Sequence, residues 1–328
     1  MVAYTPSENP RYAFAIGRVR SREARMLTRS LLDRLIDSKN ENQIISALAD
    51  TPYGETRAED ADTMLMRAAA EEEAFFRRYL EEEPILEFFL APDLVSNLKF
   101  ALRRYYGAQI ADEVFISEGS PSAEEFSRFI EGEASEVPDW LAEPTGKVIA
   151  ANYEELDPAS IDLILDRAII ERQHLMSKGY SFLTALLSLQ VDFTNLLTFL
   201  RLKVAEEEWE EFLRYFLPYG AVALDRFKAW WDAGKEGWMS QIPQLDQYAH
   251  LGDGLRGVPE SFLLLERRMK ERELEFLLSA RRLTFGYEPL VGYALTKREE
   301  RSNIRRVVTG LRYRLEALTV RKSIAWFD

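Results

Sequence analysis

The chain has 328 residues, no cysteine and a formal net charge of −13 at neutral pH. Without cysteine there is no disulfide, thiolate metal site or cysteine nucleophile, and so negative a balance argues against nucleic acid or an anionic lipid surface as the main partner. At 47% hydrophobic and 30% charged residues the composition is that of a globular protein, and the length predicts two or three domains.

Taken in chain order, apolar spacing of three and four residues predicts helices over 11–37, 59–80, 93–106, 158–187, 192–216, 259–283 and 299–324. The opening MVAYTPSENPRYAF lacks the basic start and apolar stretch of a secretory signal, which predicts a cytosolic location. Thr51-Pro52-Tyr53-Gly54 closes one unit of structure, Pro138, Pro144 and Gly146 mark a loop near 135–147, and Asp157-Pro158 starts a helix. The longest apolar run, FLTALLSLQVDFTNLLTFLRL, is interrupted by Gln190 and Asp192 and falls short of a membrane span. No alternating strand pattern of useful length occurs, so the expected fold class is all-α.

Motifs for chemistry are sparse. GDGLRG at 252–257 fits G-x-G-x-x-G, but QIPQLDQYAHL before it is no strand and Val258-Pro259 follows, so it reads as a flexible connector. The two histidines, His174 and His250, lie 76 residues apart with no carboxylate–histidine cluster, and His174, beside Glu171 and Lys178, reads as exposed. No catalytic, metal-binding or cofactor-binding residue is expected. Trp230, Trp231 and Trp238 are candidates for a contact surface or for core packing.

The strongest pattern is a repeat. VSNLKFALRR, FTNLLTFLRL and RSNIRRVVTG each place a hydroxyl residue before Asn97, Asn195 or Asn303 and a Leu or Ile directly after it. Three of the chain's seven asparagines occupy this one position, although an amide is a poor helix-interior residue. Gly119 and Gly220 match downstream, each with a Phe seven residues on (Phe126, Phe227), and Asp166-Arg167 resembles Glu266-Arg267 upstream. This predicts three similar helical-bundle units, about 1–115, 116–220 and 221–328, the last cut short. The asparagine would tie the same helix–helix contact in each.

Charge is uneven. Residues 297–322 hold nine Lys/Arg against three Glu. These arginines either pair with acidic helices such as those at 71–73 or 206–211, or form a docking face for an acidic partner, with Arg301, Arg305 and Arg306 as its candidate residues.

YAFAIGRVRSREARML at 12–27, the helix ending near LADTPYG, the three asparagine helices with an acid three or four residues ahead (Asp93, Asp192, Glu300), and EPLVGYALTKREERSNIRRVVTG at 288–310 together resemble the C subunit of V-type/A-type rotary ATPases, the equivalent of the eukaryotic V-ATPase d subunit. The resemblance implies three domains about a pseudo-threefold axis, funnel-shaped. It also implies a non-catalytic rotor part, cytoplasmic and peripheral to the membrane, joining the D and F subunits of the central stalk to the membrane ring of proteolipid subunits. The residues alone leave open a helical scaffold or regulator of another kind.

Overall fold

The structure, a computed structural model, describes residues 3–112, 115, 120–151, 158–258 and 260–326, and among these there is no β-strand. After a single 3₁₀ turn at 10–12 comes α1 (Ala13–Glu23). The next three helices start on side-chain caps that satisfy an orphan backbone N–H. Thr28 accepts from Leu31 for α2 (Arg29–Ile36), Asn40 from Gln43 for α3 (Glu41–Leu48), and Asp60 from Thr63 for α4 (Ala61–Tyr79). The helix α5 (Glu83–Tyr105) opens on Pro84 and carries Pro92 inside it. Pro92 has no N–H to give the carbonyl four residues back; that carbonyl, Phe88 O, receives the buried Gln173 amide at 3.1 Å instead.

The chain continues through α6 (Ala123–Ile130), capped by Ser122, then α7 (Ala142–Ala151), α8 (Pro158–Met176) and α9 (Ser181–Val204). Next come α10 (Trp209–Tyr215), α11 (Leu224–Gln241), broken at Gly234, and α12 (Gly252–Arg256). The last three are α13 (Leu263–Ser279), α14 (Glu288–Arg312) and α15 (Ala317–Ser323).

Two compact units result. One comprises 1–80, 188–216 and 220–328; the other comprises 81–187 and 217–219. The first is discontinuous because the start and end of the chain share one core. Leu32, Ile44 and Leu65 from α2, α3 and α4 pack with Ile304, Val308 and Ile324 from beyond residue 300. Ser7 closes on Glu288 (N–H to Oε1 2.6 Å, hydroxyl to Oε2 3.0 Å) and Arg321 on Asp33 at 2.9 Å. In the second unit Leu98, Leu102, Phe126, Leu141 and Leu165 are fully buried.

Several expected boundaries move. The stretch 11–37 breaks at 24–28, 158–187 breaks between α8 and α9, and α14 starts eleven residues ahead of the expected 299. The loop expected at 135–147 is half helix, with Pro144 in the first turn of α7, where its missing N–H costs nothing. The run 252–257 is no flexible connector. It forms α12, and a Cβ on Gly254 would lie 2.6 Å from Leu265 Cα, so glycine there permits close packing. Pro259 lies outside the described residues. The interruptions at Gln190 and Asp192 do not stop α9 from being long and apolar enough to cross a membrane. Two-thirds of its most apolar window is nevertheless buried within the protein, as in a core helix.

Candidate functional site

Each repeated asparagine lies inside one of the three longest helices, α5, α9 and α14, and each is fully buried. Burying an unpaired amide is costly, so partners are required. Asn97 donates to Ser120 Oγ at 2.9 Å, and Asn303 donates to Ala325 O at 3.0 Å while its Oδ1 accepts from Arg306 at 2.8 Å. The first two of these partners lie 23 and 22 residues further on. The amide therefore fastens the helix to the chain segment that returns past it.

The acids ahead of the asparagines do related work. Asp192, 2% exposed, accepts the Val222 N–H at 3.0 Å. A Cβ on Gly220 would come within 2.3 Å of Asp192 Oδ1, which explains the glycine there; its repeat counterpart, Gly119, lies outside the described residues. Burial pushes the Asp192 carboxyl above its usual range, opposed by hydrogen bonds from Val222, Tyr248 and Ala221. Glu300, with no exposure, accepts from Leu27 N–H at 2.7 Å, Tyr53 hydroxyl at 2.8 Å and the Lys297 ammonium.

Around Glu300 the charges are dense. Lys297 is 3% exposed and stands 4.3 Å from the Tyr53 ring centre, and Glu72 of α4 pairs with Arg301. Burial raises the Glu72 carboxyl above its ordinary range, with Arg301 and Lys297 pulling it back. Two buried carboxylates thus face two cations, a balanced cluster that holds α4 on α14. Among the described residues no group of three or more His, Asp and Glu is arranged to hold a metal ion.

The asparagine helices also share a manner of pairing. Lys99 and Arg103 of α5 reach Asp166 (2.6 Å) and Asp162 (3.0 Å) of α8. Gln190 and Arg201 of α9 reach Glu273 and Glu266 of α13, both at 2.7 Å. Arg301 and Arg312 of α14 reach Glu72 and, at 2.7 Å, Asp62 of α4. In every pair the higher number on one helix meets the lower on the other, so each pair runs antiparallel.

The basic C-terminal stretch is mostly committed inside the molecule. Arg301 is tied to Glu72, and Arg306 to Glu299 at 2.6 Å. Arg312 binds Glu41 and Asp62, and Arg321 binds Asp33 and Asp37. The acids at 206–211 are not among these partners. Of the three arginines expected to form a docking face, Arg305 stands apart. It is exposed, has no ion-pair partner among the described residues, and opens onto a groove of about 850 Å³. Trp230 and Trp238 are core residues at 1% and 3% exposure, and Trp231 is half-buried. His174 is half-buried, its ring stacked on Tyr219 at 3.9 Å.

Sequence reasoning missed the Glu72–Lys297–Glu300–Tyr53 cluster, since its partners lie up to 247 residues apart. A run of charged residues, Lys297 to Arg301 inside YALTKREERSNI, following the apolar YAL is the trace it leaves.

Two curated relatives are both described as the C subunit of an A-type ATP synthase. That of Thermococcus onnurineus is 24% identical over 258 residues, covering 68% of this chain and 64% of the relative's length, just under two-thirds of it. That of Methanocaldococcus jannaschii is 23% identical over 331 residues, covering 91% and 82%. The family model described as ATP synthase (C/AC39) subunit matches residues 15–323. With nearly its whole length matched, this all-helical chain belongs to the ATP synthase (C/AC39) subunit family.

Proposed function

We propose that the chain is a non-catalytic rotor subunit of an A/V-type ATP synthase, joining the D and F subunits of the central stalk to the membrane rotor ring. The observation that carries the reading is the family match over residues 15–323. In this reading the protein is peripheral to the membrane on the cytoplasmic side. Torque links ATP synthesis or hydrolysis to ion movement through it.

Such a part needs stiffness. Densely packed helices have low compressibility and pass on strain, and buried ion clusters such as that around Glu300 resist shear between α4 and α14. We further propose three similar units, near 1–115, 116–220 and 221–328, about a pseudo-threefold axis as a funnel. The three antiparallel helix pairs support this: α5 with α8, α9 with α13, and α14 returning to α4 of the first unit. Asn97, Asn195 and Asn303 are then equivalent ties within the scaffold. Arg305 is the candidate docking residue that remains accessible, whereas Arg301 and Arg306 support it from within.

Reconstitution tests the reading. The isolated chain should neither hydrolyse nor tightly bind ATP, and should bind a purified D–F complex and the isolated ring. Holoenzyme assembled without it should lose ion transport while soluble A–B–D–F particles retain hydrolysis. A folded sample that binds neither stalk nor ring would overturn the proposal.

A further inference from the structure

Helices α9, α13, α14 and α15 surround the groove of about 850 Å³ that Arg305 faces. On its α14 side residues 302, 305, 306, 309 and 310 form one stripe, two turns and about 12 Å long at 1.5 Å per residue. Phe193, Leu197, Leu263, Met269, Leu315 and Val320 give it an apolar lining. Leu263 and Leu315 stay 38% and 52% exposed. Phe193, Met269 and Val320 form the buried floor, and the two leucines exposed at its mouth are the kind of apolar surface that marks a site of interaction.

The charges of the groove are almost all satisfied from within. Glu266 is held by Arg201, Arg267 by Glu271, Lys270 by Glu273 and Arg306 by Glu299. Arg305 has no such partner among the described residues. In a chain of net charge −13 this is an apolar site with a local excess of positive charge.

We infer that the groove receives an amphipathic α-helix of a protein partner, with two turns of apolar anchors and a carboxylate that pairs with Arg305. The α14 wall of the groove, from Ser302 to Gly310, is two turns long, the length over which a docked helix places anchors at i, i+3, i+4 and i+7. The carboxylate is demanded by Arg305, the groove cation with no ion-pair partner among the described residues. A helix without it would desolvate Arg305 with no counter-charge, whereas one with it gains complementarity that selects partner and orientation. The inference deepens, and rests on, the docking role proposed for Arg305; peptides test the groove without stalk or ring, so its failure and that of the rotor reading are distinguishable.

The absence of cysteine permits a clean test. A Thr309→Cys variant carries one thiol at the groove and can be labelled there with bimane. It is then titrated with two synthetic 18-residue helical peptides that share a leucine stripe and differ in carrying Glu or Lys beside it. The Glu peptide should shift the bimane emission and bind at least tenfold more tightly than the Lys peptide. Arg305→Glu in the labelled chain should reverse that order with an unchanged melting temperature, and Leu315→Asp should weaken both peptides. Equal binding of the two peptides, or a preference that survives Arg305→Glu, would overturn the inference. So would an emission shift produced by dodecanoate but by neither peptide, which would make the groove an acyl-chain site. A shift that follows protein concentration alone would make it a self-association surface and overturn the inference equally.

Discussion

Glu300 receives donors from two distant parts of the chain, at Leu27 and Tyr53, and from Lys297 one turn back on its own helix. Removing one member of such a buried pair leaves the other charge uncompensated, at a cost of about 3–5 kcal/mol. Lys297→Met should therefore destabilise by that amount in urea unfolding, and adding Glu300→Gln should recover part of the loss. Strict additivity of the two changes would show that they are not coupled. Asn303→Leu removes the tie to Ala325 O and leaves that buried acceptor unmatched, so it should cost roughly 1–3 kcal/mol. His250 gives a pH signature. Burial, with Arg272 and Arg268 nearby, lowers its pKa below the ordinary 6.5, outweighing Glu275 and Glu271. The native state then binds fewer protons than the unfolded state between the lowered value and 6.5. Stability should rise with pH through that window and level off above it. His250→Gln should flatten this part of the curve of urea midpoint against pH; an unchanged slope would place the titration elsewhere. The asparagines were legible in the sequence because an amide beside an apolar stripe is anomalous wherever it occurs. The carboxylate–lysine cluster was not, because charges on a helix look like a solvated face until a distant helix covers them.

At the level of elements, periodicity touched ten of the helices, mistook several of their ends, and left α3, α6, α7, α11 and α12 without a predicted stretch. Pro289 at the start of α14 and Pro84 at the start of α5 both mark first turns, yet Pro92 within α5 reads as a breaker. Its tolerance depends on Gln173 in another helix, which no local pattern reveals. Residues 252–257 show the same limit. Their glycines read as loop or phosphate cradle, whereas the requirement at Gly254 is set by Leu265 across a helix contact. A matched pair of variants separates these ideas. Gly254→Ala forces a Cβ against backbone and should cost about 1–3 kcal/mol. Gly252→Ala, with nothing within 4 Å of the new atom, should be neutral or slightly stabilising, because alanine is the better helix former. Comparable losses at both positions in thermal melts would contradict the packing account.

At the level of the whole molecule, the shared core of the first 80 residues and the segment after 288 has a temporal side. Leu65 and Ile304 belong to one cluster, and on a ribosome adding about 5–20 residues per second some 12–50 s separate their appearance. Throughout that interval α2, α3 and α4 expose the apolar faces that α14 and α15 will cover. A nascent chain stalled near residue 280 should thus be cleaved readily between residues 27 and 80 by added protease, and one released at full length should resist. Equal resistance of the two would mean that the early helices find another cover. The cell must therefore shield an unfinished surface for most of the time this chain takes to make, and the last helices to emerge decide whether the first ones were worth keeping.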